Sequence, residues 1–358
     1  MHICIMTGAR PNFMKVAPIM RAIDNARNHG RNITYQLVYA GTADDPTLEE
    51  SLFSDLDIHK PDVYLGVSCE NLNELTGQVM STFERYLQEH KTDAVIVVDD
   101  LASTMAAAIV TKKQNITLAH LVAGTRSFDI TMPKEINRLV IDGLSDLLFT
   151  AGMGSQSTAT REGSQEKVYM VGNILMDTLR YNHNRFLPPT LPQPCDEQYI
   201  VFTLNRKALI ADEENLRRML QAIADNANGM TVYAPLRGKA KEVVERNMPA
   251  SGNIRVIPPQ SYLQFGWLTS HAKGIITDSG NVAEEATFNG VPCITLNSYT
   301  EHIETVKVGT NVLVGEDAEV LAEYVGKMAR GEWKAAGIPD RWDGRTAERI
   351  VQILSERA

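Results

Sequence analysis

The sequence predicts an α/β protein with two Rossmann-like halves, and three observations carry that expectation. Short apolar or β-branched runs recur along the chain with helical patterns between them. The rhythm stops at a proline-rich stretch near the middle and then restarts. At 358 residues the chain is long enough for two ordinary domains. Apolar strands divided by helices argue for mostly parallel sheets covered on both faces. Such sheets bind ligands beyond the carboxyl ends of their strands, so the expected site is an interdomain cleft.

The elements follow in order. Residues 2–6 read as a core strand, 18–28 as a helical pattern and 34–38 as a second strand. The wholly apolar run 94–98 precedes a helix over 103–113 and a strand over 117–121. Residues 147–150 and 167–171 read as later strands. Segment 186–194 breaks the alternation, and its Pro188, Pro189, Pro192 and Pro194 suit a stiff connector. Beyond it, strands are expected over 199–204, 231–234, 253–257, 274–277, 292–296 and 311–314. Helices are expected over 213–226, 318–328 and 346–355. The expected division is a first domain over 1–185, a linker over 186–198 and a nucleotide-binding second domain over 199–340. Residues 341–358 are expected to form a terminal helix packing back on the first domain.

Hydrophobic content of 44% and charged content of 22% describe a soluble globular chain. The formal net charge of −9 offers no basic footprint for nucleic acid or an anionic membrane. An anionic ligand therefore needs a local cluster of cations and backbone amides. No apolar run approaches the roughly 18 residues of a membrane-spanning helix. The first residues read as a core strand, so a secretory-type leader is not expected. Cys4, Cys69, Cys195 and Cys293 form no CxxC pair, so reduced thiols and a cytoplasmic location are expected rather than a zinc site. The histidines show no metal-ligand spacing, and there is no Gly-x-Ser-x-Gly elbow.

Several strand ends carry candidate chemistry. After the 274–277 strand, Asp278-Ser279-Gly280-Asn281 forms a turn into a helix, whose unpaired N–H groups can hold a phosphate or diphosphate. Glu284 and Glu285 follow one turn later, where a carboxylate can accept from ribose hydroxyls. The plain alternative is an ordinary turn capped by Asp278 or Ser279. The first strand ends in Thr7-Gly8-Ala9-Arg10-Pro11-Asn12, which is neither a Gly-x-Gly-x-x-Gly fingerprint nor a P-loop. Arg10 either forks onto phosphate or pairs with an acidic residue, and Lys15 adds charge one turn later. At another strand end, the adjacent Asp99 and Asp100 can push one carboxyl upward and so offer a proton-transfer group, or Asp100 only caps the following helix. Gly124-Thr125-Arg126 and Lys134-Glu135-Ile136-Asn137-Arg138 supply further charged groups, whose plain use is capping and packing. His120 and His271 read as structural, whereas His302 follows a strand and can lend charge to a cleft.

With these blocks on the page, the chain resembles the non-hydrolysing UDP-N-acetylglucosamine 2-epimerase family over nearly its full length. The resemblance rests on Gly8-Ala9-Arg10-Pro11 with Lys15-Val16-Ala17-Pro18, on 53–66, and on Ala123-Gly124-Thr125-Arg126-Ser127-Phe128. It continues in Met132-Pro133-Lys134-Glu135-Ile136-Asn137-Arg138, 144–149, Val171-Gly172-Asn173 with Asp177, 277–286 and Asp343-Gly344. It implies two Rossmann-like domains in a GT-B-type arrangement, a UDP-sugar in the cleft, commonly a homodimer, and a role in polysaccharide biosynthesis. The implied reaction interconverts UDP-N-acetylglucosamine and UDP-N-acetylmannosamine by anti-elimination of UDP, then re-addition after a change of face at C2. Neither a metal nor a nicotinamide cofactor is implied.

Carried over position by position, the resemblance places Arg10 by the diphosphate and Asp100 as the acidic strand-end residue. Ser279 and Gly280 match the phosphate turn, Asn281 replaces its second glycine, and Glu285 matches the ribose carboxylate. Asp100 and Glu135 are thus the expected catalytic residues. Arg10, Lys15, Arg126, Asn205, Arg206, Ser279, Gly280, Asn281, Glu285 and His302 are the expected substrate contacts. Departures fall at proton-handling positions. Val122 stands where the family has glutamate, Lys134 replaces the first of two glutamates, and Asn205 replaces a histidine. Gly41-Thr42-Ala43-Asp44 replaces Gly-Gln-His-Tyr, His302-Ile303-Glu304 replaces Arg-Pro-Glu, and Ala234-Pro235-Leu236 replaces His-Pro-Asn. Losing one general acid or base costs roughly 10²–10⁴-fold in rate. The expected function is a UDP-sugar enzyme of this family with altered or residual epimerisation. The alternatives are a catalytically silent UDP-sugar-binding or partner subunit, and an altered hydrolase or transferase.

Overall fold

The computed structural model describes residues 1–164, 167–191 and 195–357. Pro192 and Pro194 of the expected connector lie outside the described residues. The chain forms two compact units, Met1–Arg180 with Asp340–Ala358, and Tyr181–Pro339.

In the first unit the order is β1 (His2–Thr7), α1 (Arg10–Asn28), β2 (Thr34–Tyr39), α2 (Glu50–Leu56), β3 (Val63–Tyr64) and α3 (Leu72–Glu89). It continues through β4 (Ala94–Val98), α4 (Ala102–Lys113), β5 (Thr117–Leu121), α5 (Pro133–Leu144), β6 (Leu147–Thr150), α6 (Met153–Ala159), β7 (Val168–Met170) and α7 (Ile174–Asn182). The strands form one sheet in the order β3-β2-β1-β4-β5-β6-β7, and each of these pairs is parallel. All of β4 is buried, as befits a central strand with helices on both faces. The strand order reverses between β1 and β4. That is the point where loops at the carboxyl ends diverge and open a crevice.

Helix α1 starts at Arg10, eight residues before the periodic pattern that first signals it. Pro11 sits in its first turn, where a missing N–H costs nothing. The Asn12 side-chain oxygen accepts from the Gly8 and Ala9 N–H groups at 2.9 and 3.2 Å, closing the turn. Farther on, Pro18 lies inside the helix and cannot donate to the Met14 carbonyl. Thr178 Oγ1 donates to that carbonyl instead, at 2.5 Å.

The second unit comprises β8 (Tyr199–Phe202), α8 (Lys207–Ala211), α9 (Glu213–Asn226), β9 (Thr231–Pro235), α10 (Gly238–Arg246), β10 (Ile254–Ile257) and α11 (Tyr262–Ser270). It is completed by β11 (Gly274–Thr277), α12 (Gly280–Asn289), β12 (Cys293–Thr295), α13 (Ile303–Lys307), β13 (Asn311–Leu313) and α14 (Ala318–Arg330). Its sheet runs β10-β9-β8-β11-β12-β13, again parallel throughout. The reversal here falls between β8 and β11. The strand expected over 199–204 ends at Phe202, so Thr203 and Leu204 already belong to the carboxyl-end loop.

The last helix, α15 (Thr346–Glu356), packs on α1 and so belongs to the first unit. Asp177 of α7 accepts from the Thr346 and Ala347 N–H groups at 3.0 and 2.8 Å, capping it from another element. Trp342 is buried and its indole N–H donates to the Ala151 carbonyl at 3.1 Å. Gly172 allows this docking: with φ +106, a Cβ there would lie 2.1 Å from the Arg341 carbonyl oxygen.

Candidate functional site

In the first unit, the candidate groups gather on the loops after β1, β4 and β5. Asp99 adopts φ +59, a left-handed conformation that costs a residue with a Cβ about 1–2 kcal/mol. Its carboxylate receives the Lys15 ammonium at 2.5 Å and the Asn12 side-chain N–H at 2.9 Å. His120 Nε2 meets its carbonyl at 2.9 Å. Asp100 comes next, with Arg138 Nε and Nη2 on its Oδ2 at 2.8 and 2.7 Å and Lys134 Nζ 3.6 Å from Oδ1. The capping alternative for Asp100 does not hold, because Leu101 is the N-cap of α4 and no side chain caps it. Both carboxylates turn to cations instead.

Glu135 opens α5 and is buried. It accepts from the Ser127 N–H and hydroxyl, each at 2.9 Å, from the Phe128 N–H at 3.2 Å and from Arg138 Nη1 at 3.1 Å. Burial pushes its carboxyl upward, but these donors outweigh burial and hold it below the ordinary range. Glu135, Arg138 and Asp100 therefore form a chain in which one guanidinium bridges two carboxylates.

Arg126, expected as a substrate contact, is buried among protein carboxylates. Its guanidinium meets Asp142 at 2.8 Å and Glu162 at 2.5 Å. Asp142 also lies 2.5 Å from His120 Nδ1 and accepts from the Gly124 N–H at 3.0 Å. Burial pushes Asp142 up, yet the neighbouring His120 and Arg126 charges and the Gly124 amide hold it below its usual value. Both nitrogens of His120 thus face oxygen atoms, the Asp142 carboxylate and the Asp99 carbonyl. Lys15, also expected at substrate, is buried with its charge balanced by Asp99. Val122 adopts φ +70, rare for a β-branched residue, at the end of β5.

In the second unit, the loops after β8 and β11 are tied together at the strand reversal. Asp278 Oδ2 accepts from the Asn205 and Arg206 N–H groups at 2.6 and 2.5 Å, while its Oδ1 is buried without a partner. The hydroxyls of Thr203 and Thr277 lie 2.7 Å apart. Ser279 is the N-cap residue of α12, but its side chain caps nothing. The first intrahelical bond runs from the Ala283 N–H to the Ser279 carbonyl, so the amides of Gly280, Asn281 and Val282 precede the ladder. These donors stand at the positive end of the helix. Arg206 Nη1 reaches Glu316 at 3.0 Å. His302 Nδ1 lies 3.0 Å from the buried Glu284 carboxylate. Burial, reinforced by the Glu284 charge, pushes the Glu285 carboxyl up to about 8.

Reasoning from sequence weighed Asp278 only as a cap and missed the Glu284–His302 pair and the Asp142 network. Each joins residues far apart in the chain, and no local pattern signals them. Among the described residues no cluster of His, Cys, Asp and Glu could hold a metal ion, and the four cysteines are free thiols. No helix among the described residues is long and apolar enough to cross a membrane.

Two parallel sheets, each with charged or amide-rich loops where its strand order reverses, define an α/β protein of two Rossmann-like domains. The model of the UDP-N-acetylglucosamine 2-epimerase family matches residues 25–355, and the chain belongs to that family. It is 32% identical to UDP-N-acetylglucosamine 2-epimerase of Methanocaldococcus jannaschii over 99% of each chain. It is 30% identical to UDP-2,3-diacetamido-2,3-dideoxy-D-glucuronate 2-epimerase of Pseudomonas aeruginosa, covering 99% of this chain and all of the relative. The crystal structure of the Methanocaldococcus jannaschii enzyme in complex with UDP-GlcNAc and UDP superposes with a TM-score of 0.81 at 30% identity, covering 99% of this chain and 100% of that one.

Proposed function

We propose that this protein binds a UDP-sugar and epimerises it at C2, with the uncapped turn at Ser279 holding the diphosphate. The observation carrying this reading is that turn. Ser279 leaves the α12 amides without a side-chain cap, and Gly280 brings no Cβ to screen them. Asn281 extends the amide run, Glu285 is the carboxyl for ribose hydroxyls, and Asn205, Arg206 and His302 border the same strand ends. In the first unit, Asp100 is the proposed proton-handling carboxylate and Arg10, the first residue of α1, a proposed substrate cation. Glu135 holds Arg138, and through it Asp100, in place. The resemblance supports a homodimer working in the cytoplasm on polysaccharide precursors.

Incubation with UDP-N-acetylglucosamine in heavy water, followed by NMR, tests the reading. Deuterium at C2 together with the 2-epimer supports it. Binding of UDP with neither exchange nor epimer on this sugar or on UDP-2,3-diacetamido-2,3-dideoxy-D-glucuronate overturns the epimerase part.

A second reading, a UDP-sugar binder without turnover, is favoured by one observation. Asp100 is ion-paired with both Arg138 and Lys134, and Val122, where the resemblance has a glutamate, cannot carry a proton. The same heavy-water experiment separates the two readings.

A further inference from the structure

We infer that the Glu284–His302 pair makes diphosphate binding at the α12 turn depend on a proton, with His302 donating through Nε2 only when its ring is charged. The inference rests on the nucleotide-sugar reading and deepens it, giving Glu284 a positioning role.

The backbone of His302 is fixed. Its N–H donates to Thr300 Oγ1 at 3.1 Å, and its carbonyl accepts from the Thr305 N–H at 3.0 Å and hydroxyl at 2.8 Å. Its ring is fixed too, with Nδ1 3.0 Å from Oε1 of Glu284, which is 2% exposed. The opposite edge faces the start of α12: a Cβ placed on Gly280 would lie 3.5 Å from His302 Cδ2 and 3.9 Å from Nε2. Among the described residues, Nε2 has no hydrogen-bond partner, and the side chain is 19% exposed.

A carboxylate that accepts from Nδ1 fixes the tautomer of a histidine. In that tautomer the neutral ring carries a lone pair on Nε2, on the edge that lies near Gly280, and a lone pair repels a phosphate oxygen. Adding a proton converts Nε2 into a charge-assisted donor beside the positive end of the helix. The resemblance places an arginine at this position, a fixed cation; His302 is a titratable one. Helix α12 and strand β13 pack against α13, and Lys334 donates to the Val306 carbonyl of α13 at 2.5 Å. From α12 the titratable groups are Glu284 and Glu285, and β13 contributes none. The segment around His302 carries Glu301, Glu304 and Lys307.

Calorimetric titration with UDP between about pH 7 and 9, where its phosphates are ionised, tests the pair. Wild-type affinity is expected to fall with rising pH, by up to about tenfold per unit for a single linked proton, with proton uptake visible in buffers of different ionisation enthalpy. His302→Arg is expected to bind UDP with a flatter profile and less proton uptake. Glu284→Gln, whose amide does not balance the imidazolium, is expected to bind UDP more weakly and with less proton uptake. Glu285, whose carboxyl is pushed up to about 8, is common to wild type and His302→Arg, so the difference between their profiles reports the ring alone. His302→Gln, which leaves the buried Glu284 in place, should bind weakly and without the fall. Equal slopes and equal proton uptake in wild type and His302→Arg overturn the inference and leave the nucleotide reading standing. No UDP binding by either protein at any pH overturns that reading, and this inference with it.

Discussion

Glu135 illustrates how a single residue acquires a role that its position in the sequence does not announce. The pattern Pro133-Lys134-Glu135 marks the first turn of a helix, where an acidic residue is ordinarily a favourable dipole partner. In the fold, the same carboxylate closes the 127–128 turn and steadies Arg138 against Asp100. Glu135→Ala leaves the Arg138 charge and two turn amides short of an acceptor. It is expected to cost about 3–5 kcal/mol in urea unfolding, the usual penalty for breaking a buried pair. Glu135→Gln should cost less, because the amide oxygen still accepts. The pH dependence follows with the same sign. Glu135 and Asp142 are both held below their ordinary values in the native state. Their contribution is present above the unfolded carboxylate range, about pH 4, and is lost as pH falls through the lower native values. Melting temperature should therefore drop steeply below about pH 4, and less steeply in Glu135→Gln. The acidic character of position 135 is legible in the sequence; its four donors are not, because three of them come from a turn that has no regular pattern.

At the scale of elements, α1 shows a helix whose interior proline is tolerated because another helix completes its hydrogen bonding. Pro18 withdraws the donor that the Met14 carbonyl would otherwise receive, and Thr178 of α7 supplies one. Thr178→Val keeps the side-chain shape and removes that donor. It should cost about 1–3 kcal/mol in denaturant unfolding, the penalty of an unsatisfied buried acceptor, with UDP affinity unchanged. A small or absent loss of stability would mean that water or a helix shift satisfies Met14 instead. Strand alternation, the wholly buried β4 and the amphipathic α9 and α14 are plain from apolar periodicity. The start of α1 is not, because Gly8-Ala9-Arg10-Pro11 has no apolar period and its turn is closed by the Asn12 side chain.

For the molecule as a whole, the first unit is finished only by the last residues of the chain. Trp342 is buried, α15 lies on α1, and Asp177 caps α15 across a long sequence separation. Trp342→Ala should cost about 3–5 kcal/mol, as large-to-small changes in a core do. Thermal unfolding followed by tryptophan-independent circular dichroism checks it. A loss below about 1 kcal/mol would show that the first unit stands without this segment. The sequence by itself determined the α/β class, the restart of the strand rhythm in the second half and the family. These follow from periodicity and from ordered local motifs, which survive in a linear reading. Only the tertiary structure decided that Lys15 and Arg126 answer protein carboxylates, that Asp278 locks two loops together and that Glu284 stands behind His302. Such pairings depend on which strand ends the parallel crossovers bring side by side, and charge partners chosen at that distance leave no spacing in the chain.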